Sequence, residues 1–157
     1  VANLGGAVAA GADRNSTLLH ELVHVTRFLR GTARRRALAP VSGGTGGIAS
    51  GLPSQLQDEE ELIAVTITNI YASERGIALR SDHASMTAEL QNADFWREPS
   101  IHAALSDFLR SMPGLGGALA AIDTSFNPLR QIAQGARASL RLRDWQGRVV
   151  DPYRRPL

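Results

Sequence analysis

The chain has 157 residues and a formal net charge of +2, and 43% of its residues are hydrophobic. This length and composition predict one globular domain with its own core and exclude an intrinsically disordered chain. There is no cysteine, which excludes a disulfide framework and any zinc site built from thiolates, so a metal site must use His, Asp or Glu.

The first predicted element is a helix that begins after the polar run at residues 15–17. Side chains of this kind cap the free amide groups at a helix N-terminus. Apolar residues then recur up to Leu29, and Gly31 predicts the C-terminal end. Within this helix we expect Leu22 and Val23 to anchor in the core the face opposite His20 and His24.

All 17 basic residues are Arg. This absence of Lys fits a GC-rich genome, although it would also suit a protein delivered into eukaryotic cells, where Lys is the usual ubiquitination site. The one dense basic cluster, at residues 34–36, has no interleaved aromatic side chains on which bases would stack. We therefore interpret it as a solvated helix end or a patch for an acidic partner, and we predict no nucleic-acid partner.

The remaining elements are mostly helical. Repeated glycines predict a flexible loop over residues 40–53, and acidic residues at 58–61 predict the start of a second helix that ends near residue 76. Further helices are predicted over residues 84–91, 100–112 and 128–139, and a short β-hairpin over residues 140–150. We expect four aromatic residues in the core or an interface: Phe95, Trp96, Phe108 and Phe126.

The fold class expected from these elements is mainly α (α+β), in a single domain over residues 1–157. The apolar stretches are short and interrupted by glycine, so we predict no membrane partner.

The sequence His20-Glu21-Leu22-Val23-His24 is an H-E-x-x-H motif on the first predicted helix. Residues four apart lie about one turn apart on the same face, so both imidazoles can reach one metal ion. Zn²⁺ would lower the pKa of a water molecule, and Glu21 would act as the general base. The competing interpretation is a structural pair of histidines.

A catalytic zinc site needs a third protein ligand and one open position. The candidates in the sequence are Glu59, Glu60, Glu61, Asp82 and His83. Glu61 is the first choice and Glu60 the second, because Glu61 opens the second helix and small Ala64 leaves room for the first helix. Alternatively, the acids only complement the helix dipole, or Asp58 and Glu61 form a capping box.

Three segments follow one another in the order of a known family. H-E-L-V-H lies within residues 18–31, E-E-L-I-A-V spans residues 60–65, and N-I-Y-A-S-E-R-G leads to L-R within residues 69–80. Together they resemble the NleD-like family of bacterial secreted-effector zinc metallopeptidases, over residues 18–83. The chain departs from the family's pattern at Thr68 and His83.

The resemblance implies a zincin-like metallopeptidase core over residues 18–83, followed by a helical extension and hairpin over residues 84–157. It implies a zinc ion held by the two motif histidines and one of the Glu60–Glu61 pair, with Glu21 as base. Family members are secreted effectors that enter host cells, and some cleave host signalling kinases. A secreted hydrolase, acting as an effector or toxin on a host protein or peptide in the host cell cytosol, is therefore expected.

Several other polar residues are weaker candidates. Tyr71 and His83 could donate a hydrogen bond to a tetrahedral intermediate, and Arg80 could stabilise an oxyanion or clamp a substrate carboxylate. A salt bridge to a neighbouring carboxylate accounts for Arg80 equally well. Asn69 could donate or accept a hydrogen bond that fixes the orientation of a metal ligand.

The sequence thus supports two functional hypotheses. The first is a zinc endopeptidase with His20, His24 and Glu61 as ligands and Glu21 as general base. The second is a noncatalytic effector or toxin module that keeps the fold and docks onto a host protein.

Overall fold

The computed structural model describes six parts of the chain: residues 14–38, 58–81, 90, 92–139, 142–143 and 149–150. The predicted loop over residues 40–53 lies outside them, as does the predicted helix over residues 84–91 apart from Leu90. The described part is mainly helical, which confirms the coarse fold class. None of its helices is both long and apolar enough to cross a membrane.

Five α-helices follow one another along the described residues. They are α1 (Arg14–Leu29), α2 (Glu59–Glu74), α3 (Pro99–Ser111), α4 (Pro113–Ala121) and α5 (Pro128–Ser139), with a 3₁₀ turn at Phe95–Arg97 before α3. Three of the predicted helices correspond to α2, α3 and α5, with ends shifted by a residue or two. The first helix begins earlier than predicted, at Arg14, so that Ser16 is a buried residue inside the helix rather than its cap.

Helix α2 is the central element of the fold. It is buried along nearly its whole length, including the apolar residues Leu62, Ile63, Ile67 and Ile70. A helix that is apolar on most sides is stable only when other elements cover it. Helices α1 and α3 pack against it, and α1 crosses the end of α2 that carries the acidic residues.

The core continues from α2 into the C-terminal helices. Phe95, Trp96, Phe108 and Phe126 are all buried, as predicted, and Phe95 stacks on Phe126 with ring centroids 6.2 Å apart. These contacts tie the 3₁₀ turn and the segment before α5 to the α2–α3 pair. The C-terminal helices therefore share one core with the helices that carry the motif.

Helix α1 buries a narrower and more polar face than predicted. Its buried residues are Ser16, His20, Val23 and Arg27, which recur at spacings of four, three and four and so lie on one side of the helix. Leu22 is 49% exposed, whereas Val23 is 6% exposed. The prediction that Leu22 anchors the core is therefore wrong, because Leu22 lies outside the face of α1 that meets α2. Val23 is buried as predicted, but on the same side of the helix as His20 rather than on the opposite face.

Glycines in the left-handed conformation follow both helices of this pair. Gly31 has φ 64° and Gly76 has φ 66°, values that residues with a Cβ atom rarely adopt. Gly31 thus ends α1 as predicted. At the other end of α2, Asp58 caps the helix by accepting a hydrogen bond from the Glu60 amide at 2.7 Å.

Helix α4 was not predicted from the sequence. Three glycines in nine residues lower its helix propensity, but Pro113 starts it and Gly116 allows close contact with Leu109 of α3. Two short strands, β1 (Leu142–Arg143) and β2 (Val149–Val150), pair antiparallel near the C-terminus. The residues between them lie outside the described part, and the hairpin as a whole stays a prediction.

Candidate metal centre

Helices α1 and α2 bring three metal-binding side chains to one point. His20 and His24 lie one turn apart on α1, and Glu61 lies in the first turn of α2. One ligand atom from each falls within 4.8 Å of the other two, so the group could hold a metal ion. His20 is buried, while His24 and Glu61 are half-buried. The centre therefore has a closed side towards the core and an open side towards solvent.

The separations match those that a small tetrahedral ion requires. Nε2 of His20 lies 3.0 Å from Nε2 of His24. The Glu61 carboxylate approaches the two nitrogens at 3.3 Å and 3.4 Å. Ligand distances of about 2.0–2.1 Å would place neighbouring ligand atoms of a tetrahedral zinc site about 3.3 Å apart. In type, number and spacing, these residues could hold a metal ion.

Glu60 and Glu61 are neighbours with different surroundings. The Glu60 carboxylate turns away from the three-residue group, and its two oxygens share one bifurcated hydrogen bond from Nε–H of Arg27, at 3.0 and 2.8 Å. It also accepts a hydrogen bond from the Arg34 amide at 3.2 Å. Of the two alternatives that the sequence left open, Glu61 thus belongs to the candidate metal group and Glu60 lies behind it.

Glu60 also contacts the outer nitrogen of a candidate ligand. Its Oε1 lies 3.4 Å from Nδ1 of His24, the ring nitrogen that faces away from the metal group. A carboxylate in this place orients a metal-binding imidazole and raises its basicity. The contacts Arg27–Glu60–His24 are therefore suited to orient one candidate ligand. Arg27 was not singled out from the sequence, although its position seven residues after His20 places it on the same helix face.

The outer nitrogen of the other histidine has a different partner. Nη2 of Arg80 donates to Nδ1 of His20 at 2.6 Å, and Arg80 is only 2% exposed. Asn69 of α2 holds the Arg80 backbone from both sides: its Nδ2 donates to the Arg80 carbonyl at 2.8 Å, and its Oδ1 accepts from the Arg80 amide at 2.9 Å. Arg80 thus contacts the ring nitrogen of His20 that faces away from the metal group, and Asn69 in turn fixes the backbone of Arg80.

Glu21 occupies the exposed side of α1, next to both candidate ligands in sequence. No hydrogen bond or ion pair joins Glu21 to another described residue, and its side chain is exposed to solvent. Tyr71 is half-buried further along α2, where the Arg75 guanidinium lies 5.9 Å from its ring centroid. Two other candidates, Asp82 and His83, lie outside the described residues.

The other acidic residues of the first turn of α2 do not join the group. Asp58 caps the helix through the Glu60 amide, whereas Glu61 lies beside the two histidines. Glu59 is buried, and this burial raises the pKa of its carboxyl group, while the positive charges of Arg34 and Arg27 lower it in part. Glu59 and Glu61 both lie in the acidic first turn of α2, where the positive end of the helix dipole favours negative charge.

No protein-family model matches this chain, and neither curated proteins nor solved structures gave a match.

Proposed function

We propose that this protein is a zinc-dependent peptidase with a zincin-like core, in which His20, His24 and Glu61 bind the ion and Glu21 is the general base. The observation that carries the proposal is the convergence of these three side chains from two helices at the separations of a tetrahedral site. The H-E-x-x-H motif supplies two of them together with Glu21.

The residues around the centre have distinct tasks in this proposal. A bound Zn²⁺ ion supplies Lewis-acid chemistry, since it lowers the pKa of water and polarises a carbonyl group. Glu60, held by Arg27, orients the His24 ring so that its Nε2 lone pair points into the centre. Glu21 takes the proton of the attacking water, because it is the Glu of the H-E-x-x-H motif and its exposed carboxylate has no contact with a described residue to break.

The resemblance of residues 18–83 to the NleD-like family supports the choice of substrate. It favours a secreted effector or toxin that cleaves a host protein in the host cell cytosol. Tyr71, Arg80 and His83 correspond to the region in which that family has its later motif. We propose His83 as a donor to the tetrahedral intermediate. Tyr71 lies ten residues after Glu61 on α2, a rise of about 15 Å along the helix axis, so we do not assign it this task. Arg80 is not such a donor either, because its guanidinium contacts Nδ1 of His20.

The first experiment measures the zinc content of purified protein by elemental analysis. We expect about one zinc per chain in wild type and in Glu21→Gln, and none in Glu61→Ala or in the double variant His20→Ala/His24→Ala. Matched controls change the same residue types elsewhere: His102→Ala on α3 and Glu74→Ala on α2 are both exposed in the structure and should keep the metal. Zinc loss in these controls, or retention in Glu61→Ala, would contradict the proposed ligand set.

The second experiment tests peptide cleavage with zinc-loaded protein. Wild type and Glu21→Gln are incubated with extracts of eukaryotic cells, and new peptide N-termini are identified by mass spectrometry. We expect new termini with wild type only, since Glu21→Gln keeps the metal but cannot accept a proton. A loss of roughly 10²–10⁴-fold in cleavage rate is typical for removal of a general base. Equal cleavage by both proteins would show that Glu21 is not the base.

A noncatalytic binding module is the second candidate function, and the outer face of α1 favours it. Several large apolar side chains are exposed there, among them Leu22 and Val25. Phe28 is the most exposed of these three, with 75% of its surface accessible to solvent. Large exposed apolar patches on a protein surface often mark interaction sites. If wild type binds zinc and cleaves nothing, capture of a host protein that is lost in Val25→Asp but kept in Glu21→Gln would support this alternative.

A further inference from the structure

A cleft lies between the C-terminal helices, apart from the candidate metal centre. Helices α3, α4 and α5 and the 3₁₀ turn line this cleft, and its volume is about 940 Å³. Ligand sites of proteins commonly have volumes of about 300–1,000 Å³. None of the described residues that line the cleft belongs to α1 or α2, so the cleft and the candidate metal centre share no side chain.

The floor of the cleft is apolar. Trp96 and Ile132 line it and are almost fully buried, and half-buried Leu109 lies between them on α3. On α3, the lining residues His102, Ser106 and Leu109 each follow a residue of the buried face by one position. One position on a helix is a rotation of about 100°, so the cleft opens on the side of α3 next to its core-facing side.

The rim of the cleft is cationic. The side chains of Arg97 and Arg110 are 63% and 72% exposed, and none of the described lining residues is acidic. Each Arg pairs with an aspartate three positions earlier, Asp94 and Asp107 respectively. Exposed pairs of this kind stabilise a protein little, and a guanidinium group has several N–H donors. Both Arg side chains can therefore bind an anionic partner as well.

The open shape of the cleft favours a peptide over a small molecule. A typical small-molecule site buries most of the surface of its ligand, whereas Arg97, Arg110 and Gln134 at the border of this cleft are all exposed. Gln131 and Gln134 of α5 also line the cleft. Their carboxamides both donate and accept hydrogen bonds, as the peptide groups of an extended chain require.

We propose that this cleft binds an extended segment of a partner protein in which acidic residues flank a large apolar side chain. The apolar side chain lies on the floor formed by Trp96, Leu109 and Ile132, and the acidic residues pair with Arg97 and Arg110. The partner is the substrate if the protein is a peptidase, and the target if it is a noncatalytic module. The inference therefore does not depend on a bound metal ion.

The test uses short synthetic peptides labelled with fluorescein, whose binding is measured by fluorescence anisotropy. The first set has a central Leu-Phe pair flanked by aspartates at varied spacing, so that the result does not depend on one register. The second set has lysines in place of the aspartates, and the third has serines in place of the Leu-Phe pair. We expect wild type to bind the first set at least about tenfold more tightly than the other two.

Reversing the charge of the rim should reverse the preference. Arg97→Glu/Arg110→Glu should bind the aspartate peptides at least about tenfold more weakly than wild type, and should gain affinity for the lysine peptides. A misfolded variant cannot produce such a gain. The matched control is Arg14→Glu/Arg30→Glu, because both residues are exposed and lie outside the cleft. This control should bind the aspartate peptides as wild type does.

Filling the cleft gives an independent variant. A Cβ atom at Gly117 would meet nothing within 4 Å, so Gly117→Leu is compatible with α4 and occupies part of the cleft. We expect it to weaken binding of the aspartate peptides. Gly114 lies on the same helix, has equally open surroundings and does not line the cleft. Gly114→Leu should therefore bind as wild type does.

Several results would overturn the proposal. Wild type that binds none of the peptides, or binds all three sets equally, lacks the proposed site. Binding that survives both Gly117→Leu and the reversal of the rim charges takes place elsewhere on the protein. Binding of 1-naphthoate at the cleft without binding of any peptide would assign the cleft to a small organic anion instead. Urea unfolding of each variant establishes that the titrated protein is folded.

Discussion

Arg27 and Glu60 form a buried ion pair in which one nitrogen contacts both carboxylate oxygens. Nε of Arg27 lies 3.0 Å and 2.8 Å from the two oxygens, and both side chains are nearly inaccessible to solvent. Nη2 of the same guanidinium donates to the Thr32 carbonyl at 2.9 Å, and its carbon lies 5.5 Å from the Phe108 ring centroid. The pair therefore ties α1 to α2 directly behind the candidate metal centre.

Removing one partner of this pair should be strongly destabilising. We expect Arg27→Met or Glu60→Gln to lower the free energy of unfolding by about 3–5 kcal/mol, because each leaves a buried group without its partner. The double variant Arg27→Met/Glu60→Gln should lose clearly less than the sum of the two. Urea unfolding measures all three, with exposed Arg30→Ala as a control expected to change stability by less than about 0.5 kcal/mol. Additive losses would show that the two groups are not coupled.

The helices could be predicted from the sequence where a periodic apolar pattern occurs together with a signal for a helix end. Helices α1, α2, α3 and α5 were predicted because each combines such a pattern with a capping, acidic, Pro or Gly signal. Helix α4 was missed because its glycines are poor helix formers in isolation. Of these glycines, Gly116 lies against Leu109 of α3, and a tertiary contact of this kind leaves no periodic pattern in a nine-residue segment.

The candidate site could be predicted only in its local part. His20 and His24 follow from one helix turn, and Glu61 from its place at a helix start. The choice between Glu60 and Glu61 depends on which carboxylate meets Arg27, a contact between residues 33 positions apart. Likewise, the contact of Arg80 with His20 joins residues 60 positions apart, and spacing along the chain carries no information about it.

Val23 and Leu22 are adjacent on α1 and should respond differently to truncation. Val23 is buried against α2, so Val23→Ala should cost about 1.5–3 kcal/mol of unfolding free energy. Leu22 is half exposed, and Leu22→Ala should change stability by less than about 0.5 kcal/mol. Thermal or urea unfolding of the two variants compares them directly. A larger loss at Leu22 would mean that the outer face of α1 is covered in the native protein.

Gly116 and Gly117 offer a similar comparison on α4. A Cβ atom at Gly117 would meet nothing within 4 Å, so Gly117→Ala should stabilise the helix by about 0.5–1 kcal/mol. At Gly116 a Cβ atom would lie 3.0 Å from a Leu109 side-chain carbon and 3.3 Å from its Cα. We expect Gly116→Ala to be destabilising, since it pushes α4 from α3. Equal melting temperatures of the two variants would contradict this packing.

Asn69 should affect both the stability of the fold and the state of His20. Asn69→Leu removes both hydrogen bonds to the Arg80 backbone, which we expect to cost about 1–3 kcal/mol for each backbone group left unsatisfied. Because Arg80 then loses its position, the ¹⁵N signals of the His20 ring should shift in metal-free protein. Asn127→Leu is the matched control: Asn127 is also buried and binds the Leu119 and Ile122 carbonyls and the Arg130 amide. Asn127→Leu should destabilise the fold by a comparable amount and leave the ¹⁵N signals of the His20 ring unchanged. An equal shift of these signals in both variants would show that Asn69 acts on His20 only through a general loosening of the structure.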